Sequence, residues 1–220
     1  METRLEQQIR AAEKKWLELW VRGPAELEQG RMVPQVGDAA PELVLVDHEG
    51  RDRALSSFWN EKPALVLFWR HYGCGCGIDR AARLRDEMNA YRDAGAEVVV
   101  VGQGEPERAA AYRDQHGIDC PFLCDTEEAG YRTYGLTEFT VAEVLFDAPE
   151  EFWSHSREIG EQFIADRREM GRPAVDNPWR RPGEFVIDTK GVIRLAYRWQ
   201  YCEDFPDPRV HLTAIKLAHG

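Results

Sequence analysis

The chain has 220 residues, of which 43% are apolar and 30% charged, and its formal net charge is −11. This length fits one domain of about 150–180 residues with additions, and the acidic balance disfavours a nucleic-acid partner, which requires clustered Lys and Arg. No apolar run approaches the ~18 residues that span a bilayer, and the charged start METRLEQQIRAAEKKWLELW resembles neither a secretion signal nor a membrane anchor. We therefore expect a cytoplasmic protein without a membrane partner.

An amphipathic helix is predicted near the start of the chain. Over residues 2–21 apolar side chains recur at spacings of four and three, and a Gly-Pro pair ends the pattern. The stripe consists of Leu5, Ile9, Ala12, Trp16 and Leu19. Trp16 and Trp20 are four residues apart, so this face is predicted to pack either on the chain's own core or on a second copy in a homodimer. Residues 1–35 are assigned to this arm and its connector.

Residues 36–220 are predicted to form one α/β domain. LVLV at 43–46 and RALSSFW at 53–59 flank a turn and predict a strand pair. ALVLFW at 64–69 is typical of a central strand that is covered on both faces.

Helices and strands then alternate. A helix is predicted over 78–94, a buried strand over 96–102, a helix over 105–117 and a short strand over 120–125.

Residues 137–180 interrupt this alternation and are predicted to form an insertion with one amphipathic helix. The apolar positions of that helix include Phe152, Ile159, Phe163 and Met170. Afterwards a hairpin is predicted around TKG, and a short helix over 208–218 closes the chain. The order of elements predicts a three-layer α/β sandwich with a mixed sheet.

The stretch FWRHYGCGCGIDR, residues 68–80, places two cysteines where the central strand leads into a helix. Cys74 lies at the amino end of that predicted helix, where unpaired N–H groups and the helix dipole stabilise a thiolate. Arg70 and His71 are close in sequence and can add positive charge. Because the thiolate is the form that attacks a peroxide or a disulfide, we predict that Cys74 is a redox nucleophile.

One residue separates Cys76 from Cys74. At this spacing the Cα atoms are about 5.5 Å apart, within bridging range, although the short ring strains the bond and makes it easily reduced. Cys76 is therefore either the catalytic partner of Cys74 or a spectator whose role falls to another thiol. Cys120 and Cys124, four apart on a predicted strand, are interpreted as buried core residues. A zinc site of these four thiols fits poorly, because zinc knuckles have two to four intervening residues.

Five segments carry a family resemblance: VGDAAPELVLVDHEGRDRALSSFW, ALVLFWRHYGCGCG, AEVVVVGQGEPERAAAYRDQHGIDCPFLCD, YRTYGL and PGEFVIDTKGVIRLAYR. Together, over about residues 36–136 and 181–215, they resemble the alkyl hydroperoxide reductase/thiol-specific antioxidant family of the thioredoxin superfamily. The likeness is to its peroxiredoxin-like branch, in which a strand ends in Arg-His-aromatic-Gly-Cys. The resemblance implies a thioredoxin-like fold, to which this chain adds the N-terminal arm and the insertion before the last hairpin.

Residue by residue, the branch's nucleophilic cysteine falls on Cys74, and the second cysteine of its Cys-x-x-Cys pair falls on Gly77. Cys76 lies one place early, and the chain does not show the Pro-x-x-x-Thr-x-x-Cys pattern of standard peroxiredoxins.

Three further residues are candidates for supporting roles. Pro182 matches the position of the cis-proline that faces the active cysteine in thioredoxin folds. Arg209 follows the final hairpin, a region that in peroxiredoxins often supplies an arginine to the active site. Cys202 lies in the same region and is predicted to approach Cys74, although surface or packing roles remain alternatives for both.

The resemblance implies a thiol-dependent oxidoreductase that reduces hydrogen peroxide or organic hydroperoxides. Cys74 would become a sulfenic acid, and Cys76, or as second choice Cys202, would condense with it to a disulfide. An external thiol such as thioredoxin or a low-molecular-weight thiol would then reduce that disulfide. The alternatives are a disulfide reductase or isomerase without peroxidase activity, and a non-catalytic thioredoxin-fold binding module. No motif implies a metal, flavin or nucleotide, so no cofactor is expected.

Overall fold

The computed structural model describes residues 2–25 and 32–220, so that part of the predicted connector, residues 26–31, lies outside the described residues. The helices are α1 (Arg4–Arg22), α2 (Gly75–Asp93), α3 (Pro106–Gln115), α4 (Ala129–Thr133), α5 (Val141–Val144), α6 (Arg157–Glu169) and α7 (Pro208–Ala218). The strands are β1 (Val44–Asp47), β2 (Asp52–Ala54), β3 (Ala64–Phe68), β4 (Glu97–Gly102), β5 (Phe122–Cys124), β6 (Gly183–Ile187) and β7 (Ile193–Arg198). Short 3₁₀ turns span Leu55–Phe58 and Glu150–Ser154. Within the described ranges, no helix is both long and apolar enough to cross a membrane.

Among the described residues, seven strands form one mixed sheet in the order β2-β1-β5-β4-β3-β6-β7. β4 is parallel to both β3 and β5, whereas β6 is antiparallel to β3 and β7 is antiparallel to β6. The predicted α/β class with a mixed sheet and a final hairpin is therefore confirmed. Every residue of β3 is buried, so the turn that follows this strand starts from the middle of the sheet.

Successive residues of β3 face two different cores, as the period of a strand requires. Leu65 and Leu67 pack with apolar side chains of α2, α3 and α7. Val66 and Phe68 pack on the opposite side with residues of α4 and the first 3₁₀ turn. Both faces of the sheet are thus covered, which gives the three layers that the sequence predicts.

The α1 helix begins at a capping box and packs on its own chain. The hydroxyl of Thr3 accepts a hydrogen bond from the Glu6 amide at 3.2 Å, and the Glu6 carboxylate accepts one from the Thr3 amide at 2.6 Å. Trp16 stacks on Trp20 and on Phe163 of α6, with both ring-centroid distances at 5.1 Å. Of the two partners predicted for this apolar face, the structure shows the chain's own insertion.

The insertion contains more elements than the single helix predicted. His155 has a φ of 38°, which ends the second 3₁₀ turn, and the Ser156 hydroxyl accepts a hydrogen bond from the Ile159 amide to begin α6. Phe152 therefore lies outside α6. Its ring still packs at 6.1 Å from that of Phe163, because the turn before α6 folds back over the helix.

A buried group of charges ties α2 to the sheet. Arg80 of α2 donates to Glu184 of β6 at 2.9 Å, and the Nε2 atom of His211 on α7 lies 2.8 Å from the same carboxylate. Tyr91 is 3.0 Å from the other ring nitrogen of His211. Burial alone would raise the pKa of Glu184, but the charge of Arg80 and the bond to His211 hold that pKa at about 2. The carboxylate therefore stays ionised and fixes α2 against β6 and α7.

Candidate active site

The cysteine turn, residues 69–74, connects β3 to α2. The helix begins at Gly75, three residues earlier than predicted, so Cys74 is its N-cap residue, with extended backbone angles of φ −72° and ψ 135°. Its carbonyl accepts bonds from the amides of Gly77 and Ile78, at 3.2 and 3.3 Å, and its side chain makes no cap bond. The sulfur therefore lies at the positive end of the helix dipole, as the sequence predicts.

Arg70 joins three sulfur atoms. Its Nη1 atom donates to the Sγ atom of Cys74 at 2.7 Å, of Cys202 at 3.1 Å and of Cys76 at 3.8 Å. Its Nη2 atom donates to the backbone carbonyl of Pro178 in the insertion. The side chain is buried, and none of these partners carries a charge unless a cysteine ionises. A thiolate is therefore the anion that this guanidinium stabilises.

The three sulfurs form one buried cluster. Cys74 Sγ lies 4.0 Å from Cys202 Sγ, and the sulfurs of Cys74, Cys76 and Cys202 all lie within 4.8 Å of one another. The residues are 5%, 2% and 8% exposed, and each thiol is free. The sequence placed Cys202 second among the candidate partners of Cys74, yet the fold brings its sulfur into direct contact with Cys74.

The three thiols differ in acidity. Burial alone would raise the pKa of Cys74, but hydrogen bonds from Cys202 and Cys76, together with the charge of Arg70, bring it well below the ordinary value of a thiol. Burial raises the pKa of Cys76 well above that value. The hydrogen bond to Cys74, with a contribution from burial, raises the pKa of Cys202 to about 12. The proton therefore leaves Cys74 first, and the other two thiols donate to its thiolate.

The sequence suggests that His71 can add positive charge near Cys74, but the burial of its ring opposes this. The ring is buried, and burial lowers the pKa of His71, only partly offset by its hydrogen bond with Cys74. At neutral pH the ring is therefore uncharged, because desolvation outweighs the attraction of the thiolate. The Nδ1 atom of His71 is buried without a hydrogen-bond partner among the described residues.

The insertion covers the cysteine turn. An added Cβ atom at Gly73 would lie 2.0 Å from the carbonyl oxygen of Pro173, so the two backbones touch and only glycine fits there. The amide of Asn177 donates to the buried Gln103 side chain at 3.0 Å, and Gln103 in turn donates to the Arg70 carbonyl at 3.4 Å. The segment 173–178 therefore lies over the turn, held by the contact between the Gly73 and Pro173 backbones and by the hydrogen bonds of the Gln103 side chain.

Aromatic side chains complete the wall around the sulfurs. Phe139 of the insertion and Trp199, which follows β7, are buried against the cysteine cluster. The centroid of the Phe139 ring lies 6.0 Å from the guanidinium carbon of Arg70 and 4.4 Å from that of Arg181. The site is consequently a small, mostly apolar enclosure with one buried cation.

Pro182 has the predicted place but not the predicted conformation. It immediately precedes β6, which pairs with β3, and together with Trp69 and Arg70 it lines a small cavity beside the turn. Across the described ranges there is no cis peptide bond, so the expectation of a cis-proline is wrong for this chain. The Pro182 carbonyl instead accepts a hydrogen bond from the Trp199 amide at 3.3 Å, which continues the β6–β7 pairing.

Arg209 lies away from the sulfurs. Its side chain is 85% exposed and pairs with Asp207, the N-cap residue of α7. The first turn of α7 faces solvent at this residue, so the predicted supporting role of Arg209 in the active site is not supported by its position. The buried guanidinium of the site comes from Arg70.

The thiols that lie close enough together to bind a metal ion are not the four that the sequence analysis considered for a zinc site. Within the described part of the chain, the grouping close enough to hold an ion is Cys74, Cys76 and Cys202, without Cys120 or Cys124. The Arg70 guanidinium already donates to all three sulfurs. Its charge repels a cation at that point and favours a single thiolate.

Sequence reasoning missed the residues that approach the turn from far along the chain. Pro178 and Trp199 contact the site only because the insertion folds back and the last hairpin pairs with β3. The one available signal was Cys202, a cysteine in the loop YCEDFPDPR just after that hairpin.

The chain matches the family model described as AhpC/TSA family over residues 36–196. It is 24% identical over 102 residues to peroxiredoxin Bcp of Escherichia coli, covering 46% of this chain and 65% of that protein. It is 28% identical over 103 residues to the thiol-disulfide oxidoreductase ResA of Geobacillus thermodenitrificans, covering 46% and 58%. The matched part thus spans less than two thirds of either relative.

The fold is also similar to that of solved structures. Peroxidoxin BcpB from Mycobacterium tuberculosis superposes with a TM-score of 0.59 at 16% identity, over 84% of this chain and 97% of that one. This similarity confirms the thioredoxin-like fold.

Proposed function

The chain belongs to the AhpC/TSA family, and on that basis we propose that it is a thiol-dependent oxidoreductase that reduces hydrogen peroxide or organic hydroperoxides with Cys74 as its nucleophile. The observation that carries the proposal is the 2.7 Å hydrogen bond from the buried Arg70 guanidinium to the sulfur of Cys74 at the N-cap of α2. Thiolate character at neutral pH is what such a nucleophile requires.

In the first step the Cys74 thiolate attacks one oxygen of the peroxide. The sulfur gives up an electron pair, the O–O bond breaks, and Cys74 becomes a sulfenic acid while water or an alcohol leaves. Arg70 lies against the reacting sulfur and can donate to the departing oxygen, on which negative charge develops. The neutral ring of His71, which also lies beside the sulfur, does not compete with Arg70 for the negative charge on the departing oxygen.

In the second step a neighbouring thiol condenses with the sulfenic acid, a disulfide forms and water leaves. The sequence favoured Cys76 for this step. The 4.0 Å separation of the sulfurs of Cys74 and Cys202 supports Cys202, which lies in a loop and can close the remaining distance to an S–S bond of about 2.05 Å.

A disulfide reductase or isomerase is the second candidate. Three thiols in contact, one of them with a lowered pKa, also suit attack on the disulfide of a protein or a small molecule. A non-catalytic binding module would need no lowered pKa at a buried cysteine, and the cysteine cluster therefore disfavours it.

Three activities separate these functions. Hydrogen peroxide consumption, cumene hydroperoxide consumption and insulin disulfide reduction would each be measured with dithiothreitol as the donor. We expect peroxide consumption by the wild type, a loss of about a thousandfold or more in Cys74→Ser, and near-wild-type rates in Cys120→Ser. Insulin reduction without peroxide consumption would establish the second candidate. Absence of both activities from the folded protein would leave a binding module.

The reductant, the compartment and the assembly are parts of the same proposal. Thioredoxin or a low-molecular-weight thiol is the proposed donor, and the reducing cytoplasm is the proposed compartment, because each cycle must return the site to its thiol form.

Val210 and Leu217 are exposed and lie seven residues apart on α7, which supports a homodimer formed through that helix face. Donor-dependent turnover, cell fractionation and sedimentation of wild type and Leu217→Glu test the three parts.

A further inference from the structure

The site holds one thiol more than a peroxide-reducing cycle needs. A nucleophile and one partner suffice to form a disulfide, yet the sulfurs of Cys74, Cys76 and Cys202 all lie within 4.8 Å of one another. All three are buried, and Arg70 donates to each of them. The role of the third thiol depends on which pair of sulfurs is most stable when bonded.

We propose that the third thiol moves the disulfide off Cys74, so that the oxidised site holds a Cys76–Cys202 disulfide beside a free Cys74 thiolate. The first oxidation of Cys74 rests on the proposed function. The position of the final disulfide rests on the geometry of the three sulfurs around Arg70.

The charge of Arg70 determines which pair is bonded. Its hydrogen-bond partners are the three sulfurs and the Pro178 carbonyl, so a cysteine thiolate is the anion that can pair with it there. A disulfide that includes Cys74 removes the sulfur nearest to the guanidinium from ionisation and leaves only a more distant thiol, Cys202 at 3.1 Å or Cys76 at 3.8 Å, to pair with the buried charge. Breaking a buried ion pair in this way is strongly unfavourable. A Cys76–Cys202 disulfide keeps the 2.7 Å pair of Arg70 and Cys74 intact.

The exchange balances along either route. If Cys202 resolves first, the Cys76 sulfur attacks Cys202, the Cys76–Cys202 bond forms, and Cys74 leaves as a thiolate while the Cys76 proton passes to solvent. If Cys76 resolves first, Cys202 attacks Cys76 and Cys74 leaves in the same way. No oxidant or reductant is consumed, because each step exchanges one S–S bond for another. The sulfur with the lowest pKa is the best leaving group, and that sulfur is Cys74.

The exchange also changes the stoichiometry. A two-thiol site stops after one equivalent of peroxide, because its nucleophile is locked in the disulfide. Here the freed Cys74 thiolate takes a second equivalent and becomes a sulfenic acid with no thiol left in the cluster to resolve it. A reduced chain without external donor is therefore expected to consume two equivalents in its rapid phase.

The test maps the disulfide. The reduced protein would be oxidised with one equivalent of hydrogen peroxide or, separately, with diamide, quenched in acid over a time series, and analysed by peptide mass mapping. Diamide forms disulfides without peroxide, so the map remains informative if peroxide reduction itself fails. We expect disulfides that contain Cys74 to appear early and to be replaced by Cys76–Cys202, in a final ratio of about ten to one or more. A stable Cys74–Cys202 or Cys74–Cys76 disulfide as the final species with both oxidants would overturn the proposal.

Two variants test whether the charge of Arg70 determines the position of the disulfide. Arg70→Gln removes the charge, so disulfides that contain Cys74 should persist and the final ratio should fall about tenfold. Cys120→Ala lowers the number of cysteines by one outside the cluster and should give the wild-type map. An Arg70→Gln map identical to that of the wild type would overturn the charge argument. If Arg70→Gln does not fold, the wild-type time series and the number of rapidly alkylated thiols in the oxidised wild type test the proposal. We expect one rapidly alkylated thiol, identified as Cys74. A rapidly alkylated Cys76 instead of Cys74 would contradict the exchange.

Discussion

Two pairs of cysteines in this molecule are similarly buried, but of these four thiols Cys74 alone has a lowered pKa. Cys74 and Cys76 are 5% and 2% exposed, and Cys120, just before β5, and Cys124, the last residue of β5, are 5% and 7% exposed. Burial raises the pKa of both Cys120 and Cys124 to about 12, whereas the pKa of Cys74 is well below its ordinary value. Burial by itself therefore makes a thiol inert.

The difference comes from what surrounds each sulfur. Cys120 and Cys124 belong to the apolar core between the sheet and its helices. Cys74 is at the start of a helix, with a guanidinium nitrogen 2.7 Å away and two further thiols that donate to it. Stabilising the anion at this one place outweighs the cost of taking it out of water.

The largest expected effect is on thiol reactivity. At pH 7 in the native protein, Cys74 should react with iodoacetamide about a thousandfold or more faster than Cys120 or Cys124, because the thiolate is the reacting form. Peptide mapping of the alkylated protein as a function of time measures this ratio. Survival of the fast phase in Cys74→Ser would assign the reactive thiol elsewhere and break the comparison.

The second effect is on acid stability, because buried charges hold α2 beneath the cysteine turn. The pKa of Glu184 is about 2 in the folded protein and 4.5 ordinarily, so its stabilisation is complete above pH 4.5 and is lost as the pH falls towards 2. The amount is on the order of 3 kcal/mol. Urea unfolding from pH 6 to pH 2 should therefore show a loss in the wild type that Glu184→Gln lacks. The exposed Glu151, changed to Gln, serves as the matched control, and an equal pH response in both variants would exclude the carboxylate as the cause.

The third effect tests the guanidinium. Arg70→Gln should raise the midpoint of the pH dependence of Cys74 alkylation by about one to three pH units, since a nearby opposite charge lowers a pKa by that amount. Arg113 is the matched control, because it donates to the backbone carbonyl of Cys120 at 3.0 Å and belongs to the other cysteine pair. Arg113→Gln should leave the Cys74 midpoint unchanged. A shift of similar size in both variants would point to a general loss of structure.

The sequence predicted only part of the contrast between the two cysteine pairs. The alternation of strands and helices, the glycine-rich turn and the family resemblance together predicted the fold and the place of Cys74 at a helix start. Those signals are local, because they depend on periodicity and on residues adjacent in the chain. The inert role of Cys120 and Cys124 was also predicted, from their spacing on one strand face.

The remaining features depend on contacts distant in sequence. Cys202 reaches Cys74 across 128 residues, and the Pro178 carbonyl that orients Arg70 lies 108 residues away. No local pattern encodes such pairings, so Cys202 was ranked second and Pro178 was not considered. Whether His71 adds positive charge depends on its burial, which lowers its pKa and which neighbouring residues in the sequence do not reveal.

A smaller effect is expected on substrate size. Phe139→Leu removes part of the aromatic wall that the insertion places against the cysteine cluster, and the rate for cumene hydroperoxide relative to hydrogen peroxide should rise by several-fold, because the enclosure then admits a larger group. The ratio of the two rates on the same preparation corrects for any loss of folded protein. An unchanged ratio in a folded variant would show that the insertion does not limit which peroxides enter.

The smallest effect is expected at Arg209, the arginine that the sequence proposed for the site. Its side chain is 85% exposed and paired with Asp207 in the first turn of α7, whereas Arg70 provides the buried charge at Cys74. Exposed ion pairs of this kind contribute little to stability. Arg209→Ala should therefore change the peroxide rate by less than about twofold and the midpoint of Cys74 alkylation by less than about 0.3 pH units. Arg70→Gln, measured in the same experiments, shows how large the change in rate and in alkylation midpoint is when the arginine at the site is lost. A loss of activity in Arg209→Ala comparable to that of Arg70→Gln would mean that α7 moves onto the cysteine turn during catalysis, and the contrast between the two arginines would then fail.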